Sequence, residues 1–286
     1  MKLLQRWLQS GSDGVPHALP VHWLEQLRHA NALGPEHAAL YDALLAHARA
    51  AGIDRIVQLL DTIESPKGFG HAQTRSSGKA LDSQAQPMPW ITYPAFHYLD
   101  QLDLSAFRVL ETGAGSSTLY WGARTREVVT IEHDPDWRRF VTRPLPANCT
   151  VSITNEAEYA AAFAAAPGTF DLIIIDGRER FSCTEAAAAK LNPAGMILLD
   201  NSEWYPNCAA LLRDAGLIQI DFSGLGPVVD FSWTTSLFLH PSFRPRPRAL
   251  PFPRVSPGQQ WIDAADDKPH AKNNIAPDHT EQEARS

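Results

Sequence analysis

The sequence has little cysteine, no long apolar run and no excess of positive charge. Its three cysteines, Cys149, Cys183 and Cys208, form no Cys-x-x-Cys pair. This excludes a disulfide scaffold or a cysteine-rich zinc site and is typical of a reducing compartment. The formal net charge of −7 argues against a nucleic-acid surface, because phosphate binding needs clustered cations.

Membrane and export signals are also lacking. No segment approaches the length of a membrane span, and Met1–Trp7 is too short for the core of a signal peptide. We therefore expect a cytoplasmic protein with no membrane partner and no nucleic-acid partner. Nothing in the sequence indicates an oligomeric state.

The segment Arg108–Thr118 combines an apolar strand, a glycine turn and the start of a helix. In the turn, Gly113 and Gly115 allow a ligand to approach the backbone closely, and Ser116 and Ser117 are candidate N-cap residues. The free amides of that helix start favour an anion or a carboxylate. Taken alone, such a turn is more typical of a tight connection between strand and helix than of a cofactor site.

A second apolar strand, Glu127–His133, contains an acidic residue at its end. Glu132 follows Glu111 by 21 residues, close to the offset of about 20 at which a carboxylate binds ribose hydroxyls. The alternative is a solvated strand end. Thr118 stands where a dinucleotide fold needs Gly or Ala, and Glu111 would repel a pyrophosphate. A nucleoside cofactor that carries a sulfonium and an ammonium would tolerate this carboxylate.

The segment Leu110-Glu111-Thr112-Gly113-Ala114-Gly115, taken with Glu132, resembles the cofactor-binding half of the class I S-adenosylmethionine-dependent methyltransferases. The resemblance implies S-adenosylmethionine as cofactor. The candidate cofactor-binding residues are Glu111, Gly113, Gly115, Ser116, Ser117, Glu132, His133 and Asp176. The segments Ile91–Pro94, Asp221–Pro227 and Trp233–Ser236 resemble a bacterial group of class I methyltransferases, and this likeness names no substrate.

The alternation of apolar strands and helical segments predicts an α/β fold. We expect a Rossmann-like, doubly wound, seven-stranded sheet with an antiparallel last strand, because the connection Phe222–Phe231 is too short for a helical crossover. A capping box at Ser182–Glu185 predicts a helix start. The predicted regions are an N-terminal helical extension at 1–63, a linker or lid at 64–88, a class I methyltransferase domain at 89–243 and a disordered tail at 244–286.

Asp176 is the candidate catalytic residue. It follows the buried fourth strand, and ligands bind beyond the carboxyl ends of parallel strands. It would act as a general base where the acceptor must lose a proton, and the alternative is that it caps the following turn. The candidate acceptor-binding residues are Trp90, Tyr93, Trp204, Tyr205 and Trp233. For Trp90 and Tyr93, core packing is an equal alternative.

Asp176 and the pair Asp200-Asn201 also resemble the metal ligands of the catechol-type O-methyltransferases. Three oxygen ligands completed by water suit a magnesium ion. The likeness is incomplete, because those enzymes place a lysine three residues after the first aspartate, where this chain has Glu179. The sequence therefore leaves two alternatives, a magnesium site and a site without metal.

The predicted function is S-adenosylmethionine-dependent methyl transfer to an unidentified small-molecule acceptor, by O- or N-methylation. No Asn-Pro-Pro-Tyr motif or paired catalytic cysteine supports methylation of nucleic-acid bases. One alternative is a non-catalytic methyltransferase-like ligand-binding protein. A NAD(P)-linked oxidoreductase is a further alternative, disfavoured by Thr118 and by the closing hairpin.

Overall fold

The computed structural model describes residues 68–140, 144–250 and 252–254, together with positions 43, 46, 47, 49–52 and 63. Most of the predicted N-terminal helical extension at 1–63 lies outside the described residues, as does the tail beyond 254. Among the described stretches, no helix is long and apolar enough to cross a bilayer.

In the described part of the chain, seven strands form one sheet in the order β3-β2-β1-β4-β5-β7-β6. They are β1 (Arg108–Thr112), β2 (Glu127–Glu132), β3 (Cys149–Ile153), β4 (Phe170–Ile175), β5 (Leu191–Leu199), β6 (Ile218–Gly224) and β7 (Trp233–Leu239). β1 to β5 pair in parallel, whereas β7 is antiparallel to both β5 and β6. This confirms the predicted sheet and brings the carboxyl ends of β1, β2, β4 and β5 to one edge.

Helices cover both faces of the sheet. They are α1 (His71–Ser77), α2 (Tyr93–Leu99), α3 (Ser116–Gly122), α4 (Tyr159–Ala165), α5 (Arg180–Lys190) and α6 (Pro206–Asp214). In β4, Leu172 and Ile174 pack into one core, with residues of α2 and α3. Ile173 and Ile175 pack into the other, with residues of α4, α5 and α6. The run of branched apolar residues in β4 is therefore explained by burial on two faces.

The predicted capping box does not form. α5 begins at Arg180, before Ser182, and its N-cap is Glu179 with a φ of 48°. Thr184 Oγ1 donates to Arg180 O, 2.7 Å away and one turn back. Because the helix already begins at Arg180, Ser182 and Glu185 both lie within α5 and do not mark its start.

The segment predicted as a linker or lid, 64–88, has regular structure in its described part, residues 68–88. This segment contains α1 and a short bridge between Leu81 and Pro87. Met88 is buried against Tyr93, and the ring of His71 hydrogen bonds to Tyr93 Oη at 2.9 Å. The segment is too polar to form a core alone, and its apolar residues are buried by packing on α2 and on Leu225 and Val228.

The segment predicted as a disordered tail, 244–286, includes residues that contact the domain. Asp103 N donates to Arg246 O at 2.8 Å, and Arg248 N donates to Gln101 O at 2.7 Å. Arg254 donates to the carboxylate of Asp100 at 2.8 Å. Arg246, Arg248 and Arg254 therefore contact the domain just after α2, through two backbone hydrogen bonds and an ion pair with Asp100.

Candidate active site

A threonine hydroxyl joins the ends of β1 and β4. Thr112 Oγ1 accepts hydrogen bonds from the amides of Asp176 and Gly177, both at 2.9 Å, and donates to Ile174 O. Position 177 has no room for a side chain, because a Cβ on Gly177 would lie 2.2 Å from Tyr159 Oη and 3.0 Å from Gly113 N. Asp176 is thus held beside the glycine turn, residues 113–115.

The glycine turn borders open space. Gly113 has a φ of +87°, which favours glycine, whereas a Cβ built on Gly115 would find no heavy atom of the described residues within 4 Å. α3 starts directly after Gly115, whose amide donates to Thr118 Oγ1 at 3.1 Å. The serine hydroxyls therefore do not cap this helix as predicted. Ser116 Oγ is buried and completes no hydrogen bond in the described part of the chain.

Glu111 is buried beneath the glycine turn. Its Oε2 accepts hydrogen bonds from Thr118 Oγ1 at 2.6 Å and from Thr130 Oγ1 at 2.9 Å. Burial raises the pKa of Glu111 to about 7, although the hydroxyls of Ser117, Thr118 and Thr130 favour its ionised form. Its Oε1 completes no hydrogen bond with the described residues.

Glu132 holds the backbone around the turn. Its carboxylate accepts from the amides of Ala114 at 2.6 Å, His133 at 2.6 Å and Asp134 at 2.7 Å. The side chain is 5% exposed, and that of His133 is 35% exposed. Both oxygens of Glu132 are therefore used by the chain itself, and its contact with a ribose stays a prediction.

The three predicted metal ligands do come together, but around an arginine. Arg180 Nη2 donates to Asp176 Oδ1 at 2.9 Å, and Nη1 donates to Asn201 Oδ1 at 3.2 Å and Asp200 O at 2.5 Å. Its guanidinium also lies 4.6 Å from the ring centre of Tyr205. The sequence prediction missed Arg180, although its position one helical turn after Asp176 is a usable signal.

This donor set does not fit a magnesium ion. The Arg180 guanidinium bonds to two of the three ligands and would repel a dication, while Asp200 accepts from Thr235 Oγ1 at 2.5 Å and from the Trp233 indole at 2.9 Å. In the stretches that the structure describes, no group of three or more His, Cys, Asp or Glu side chains is placed to bind a metal. Burial raises the pKa of Asp200 and, against the opposing effect of Arg180, that of Asp176.

A cavity of about 330 Å³ opens beside these carboxylates. Its lining consists of Trp90, Asp176, Asp200, Asn201, Trp204, Val229, Phe231 and Trp233. We call it the aromatic cavity. Trp90, Trp204 and Trp233 were predicted at an acceptor site, whereas Val229 and Phe231 lie in a loop with no motif that could have identified them.

Tyr93 and Tyr205, also predicted at the acceptor site, lie elsewhere. Tyr93 is 2% exposed, stacks on Phe69 with ring centres 4.3 Å apart, and packs in the core, as its alternative interpretation held. Tyr205 packs against the core beside α6 and contacts Arg180. Neither residue lines the aromatic cavity.

Comparisons with known proteins agree with this architecture. A family model described as a methyltransferase domain matches residues 110–202, which contain the glycine turn, Glu132, Asp176 and Asp200. The search of curated proteins gives no match. The family match shows a methyltransferase domain at residues 110–202, within a sheet of the kind that the resemblance to class I methyltransferases predicted. The predicted resemblance, cofactor and type of enzyme are thereby confirmed.

Solved structures with a similar fold cover about half of the chain. The N-methyltransferase NodS from Bradyrhizobium japonicum is 13% identical over 51% of this chain and 90% of its own, with a TM-score of 0.37. A precorrin-6y C5,15-methyltransferase from Geobacter metallireducens is 14% identical over 51% of this chain and 86% of its own, with a TM-score of 0.41. Similarity this low does not identify the methyl acceptor of this chain.

Proposed function

We propose that the enzyme methylates a small molecule bound in the aromatic cavity. The observation that carries the proposal is the position of Asp176, which lines this cavity and is held beside the glycine turn by Thr112. A donor at the turn and an acceptor in the cavity would then meet at one carboxylate. Such positioning is the main catalytic contribution that methyl transfer requires.

The residues at the glycine turn fit S-adenosylmethionine. The open space beside Gly115 admits a ligand, and the free oxygens of Ser116 and Glu111 suit its hydroxyl and ammonium groups. When bound, this cofactor supplies a methyl group that its sulfonium already activates. The chain's own tasks are then to orient the acceptor, to exclude water and to take up a proton at Asp176 where the acceptor carries one.

The test is release of S-adenosylhomocysteine from the full chain with a panel of small alcohols, phenols and amines. We expect Asp176→Asn to lower kcat by about 10² or more, as for loss of a general base, while the Kd of S-adenosylmethionine changes little. Binding of S-adenosylmethionine without turnover across the panel would favour a non-catalytic ligand-binding protein. Preferential binding of NAD would favour an oxidoreductase.

A further inference from the structure

The aromatic cavity has an unusual concentration of exposed aromatic side chains. Trp90, Trp204 and Phe231 are 45%, 60% and 51% exposed, and all three line this one cavity. Trp233, at 4% exposure, completes the aromatic lining. Large aromatic residues gathered at one opening mark a binding site, whereas single exposed ones need no explanation.

The charged groups of the lining are carboxyl groups. Asp176 and Asp200 line the cavity, and no lysine, arginine or histidine of the described residues does so. The nearby Arg180 is 11% exposed and is occupied by Asp176, Asn201 and the carbonyl of Asp200. An anionic acceptor would therefore meet two carboxyl groups and no available cation.

Aromatic faces and carboxylates both attract organic cations. The negative face of an aromatic ring attracts a cation, and cages of aromatic residues bind alkylammonium groups. A carboxylate beside such a cage adds charge-assisted hydrogen bonds to the N–H groups of the ammonium. A neutral alcohol would have the apolar contact but would gain neither of these attractions.

We propose that the methyl acceptor is an amine, which binds in the aromatic cavity as its ammonium ion. The proposal rests on the proposed function and specifies its substrate class. It replaces the open choice between O- and N-methylation with N-methylation.

The reaction balances with the groups at hand. The ammonium first gives one proton to the carboxylate of Asp176, which exposes the nitrogen lone pair. That lone pair forms the new C–N bond while the C–S bond breaks and its electron pair returns to sulfur, leaving a neutral thioether. The methylated nitrogen carries the positive charge, and Asp176 retains the first proton until it passes to water. Neither an oxidant nor a metal is needed.

Three matched probes test the charge preference on the full chain: benzylamine, benzyl alcohol and phenylacetate, titrated by calorimetry near pH 7. We expect benzylamine, present as its ammonium ion, to bind at least about tenfold more tightly than benzyl alcohol, because a desolvated cation–π contact contributes about 2 kcal/mol and tenfold is 1.4 kcal/mol. Phenylacetate should bind most weakly. Equal or tighter binding of benzyl alcohol would overturn the proposal.

Two variants test whether the preference for benzylamine arises in the aromatic cavity. Trp204→Ala should remove most of the preference for benzylamine, whereas Phe181→Ala should leave it unchanged. Phe181 is a suitable control because it is 47% exposed but does not line the cavity. A preference that survives Trp204→Ala in a folded protein would place amine binding elsewhere and contradict the proposal.

A separate titration with S-adenosylmethionine distinguishes the two proposals. If this cofactor binds and alcohols but not amines are methylated, the amine proposal fails and the proposed function stands. If benzylamine binds in the cavity but no panel member is methylated, the amine site stands as a binding site and the proposed methyl transfer fails.

Discussion

The glycine turn and the aromatic cavity lie at the same edge of the sheet, but they use their polar groups differently. At the turn, Glu111 and Glu132 are buried and bonded to hydroxyls and amides of the chain itself. At the cavity, three aromatic side chains are exposed and Asp176 is one-third exposed. At the turn, the polar side chains bind the chain itself and leave free space beside Gly115. At the cavity, side chains are exposed for direct contact with a ligand.

A substitution that fills the open position tests whether the turn binds the cofactor. Gly115→Val should weaken S-adenosylmethionine binding by at least about 100-fold, or about 2.8 kcal/mol, because its side chain fills the free space. The melting temperature should hardly change, since the new Cβ meets no described atom. Calorimetry and thermal denaturation measure the two quantities.

Gly177→Val is the matched comparison. Its Cβ would collide with Tyr159 Oη, so the free energy of unfolding should fall by up to about 3 kcal/mol, as in other overpacked cores. If Gly115→Val instead lost stability and kept its affinity, the assignment of the turn as the cofactor site would be wrong.

Arg180→Met tests what holds the cavity side together. It leaves the Asp176 carboxylate, which is one-third exposed, without its cation, so we expect the free energy of unfolding to fall by about 2 kcal/mol in urea denaturation, less than for a fully buried pair. Arg178→Met is the control, since Arg178 is 58% exposed and its ion pair with Glu156 is worth less than about 1 kcal/mol. Asp176→Asn added to Arg180→Met should recover part of the loss. Equal effects of the two single substitutions would contradict a structural role for Arg180.

A pH dependence of stability is expected at the turn. The pKa of Glu111 rises from 4.5 to about 7 on folding, so the folded state binds the proton more tightly. This stabilisation is complete below about pH 4.5, is lost as the pH rises to about 7 and amounts to at most about 3 kcal/mol. The raised pKa values of Asp176 and Asp200 also make the protein less stable as the pH rises. Comparison with Glu111→Gln therefore isolates the contribution of Glu111 to the pH dependence.

In Glu111→Gln, the amide oxygen can still accept from Thr118 and Thr130, so the fold should be retained. We expect the unfolding free energy of the unmodified chain to fall more between pH 5 and pH 7.5 than that of the variant. Parallel profiles for the two proteins would show that Glu111 keeps an ordinary pKa.

The sequence predicted the half of the site that is encoded locally. Residues 108–118 contain the strand, the turn and the helix start in one stretch, and the offset from Glu111 to Glu132 spans one strand-helix-strand unit. Apolar runs likewise predicted the seven strands, and the short connection Phe222–Phe231 predicted that the last strand is antiparallel. Within this half, the prediction that Ser116 and Ser117 cap the helix was wrong. Thr118, inside the helix, instead accepts a hydrogen bond from the Gly115 amide and donates one to Glu111.

Only the tertiary structure determined the other half. Trp90, Trp204 and Phe231 are far apart in sequence. Trp204 follows the end of β5, Phe231 precedes the start of β7, and Trp90 comes beside them because Thr92, two residues on, donates to Thr235 of β7. The packing of residues 68–88 on α2, and the contacts of Arg246, Arg248 and Arg254 beside it, also depend on partners distant in the chain. Local patterns determine strands, turns and helix faces, because those depend on neighbours a few residues away. Which exposed side chains share a cavity depends on where the completed sheet places its strand ends.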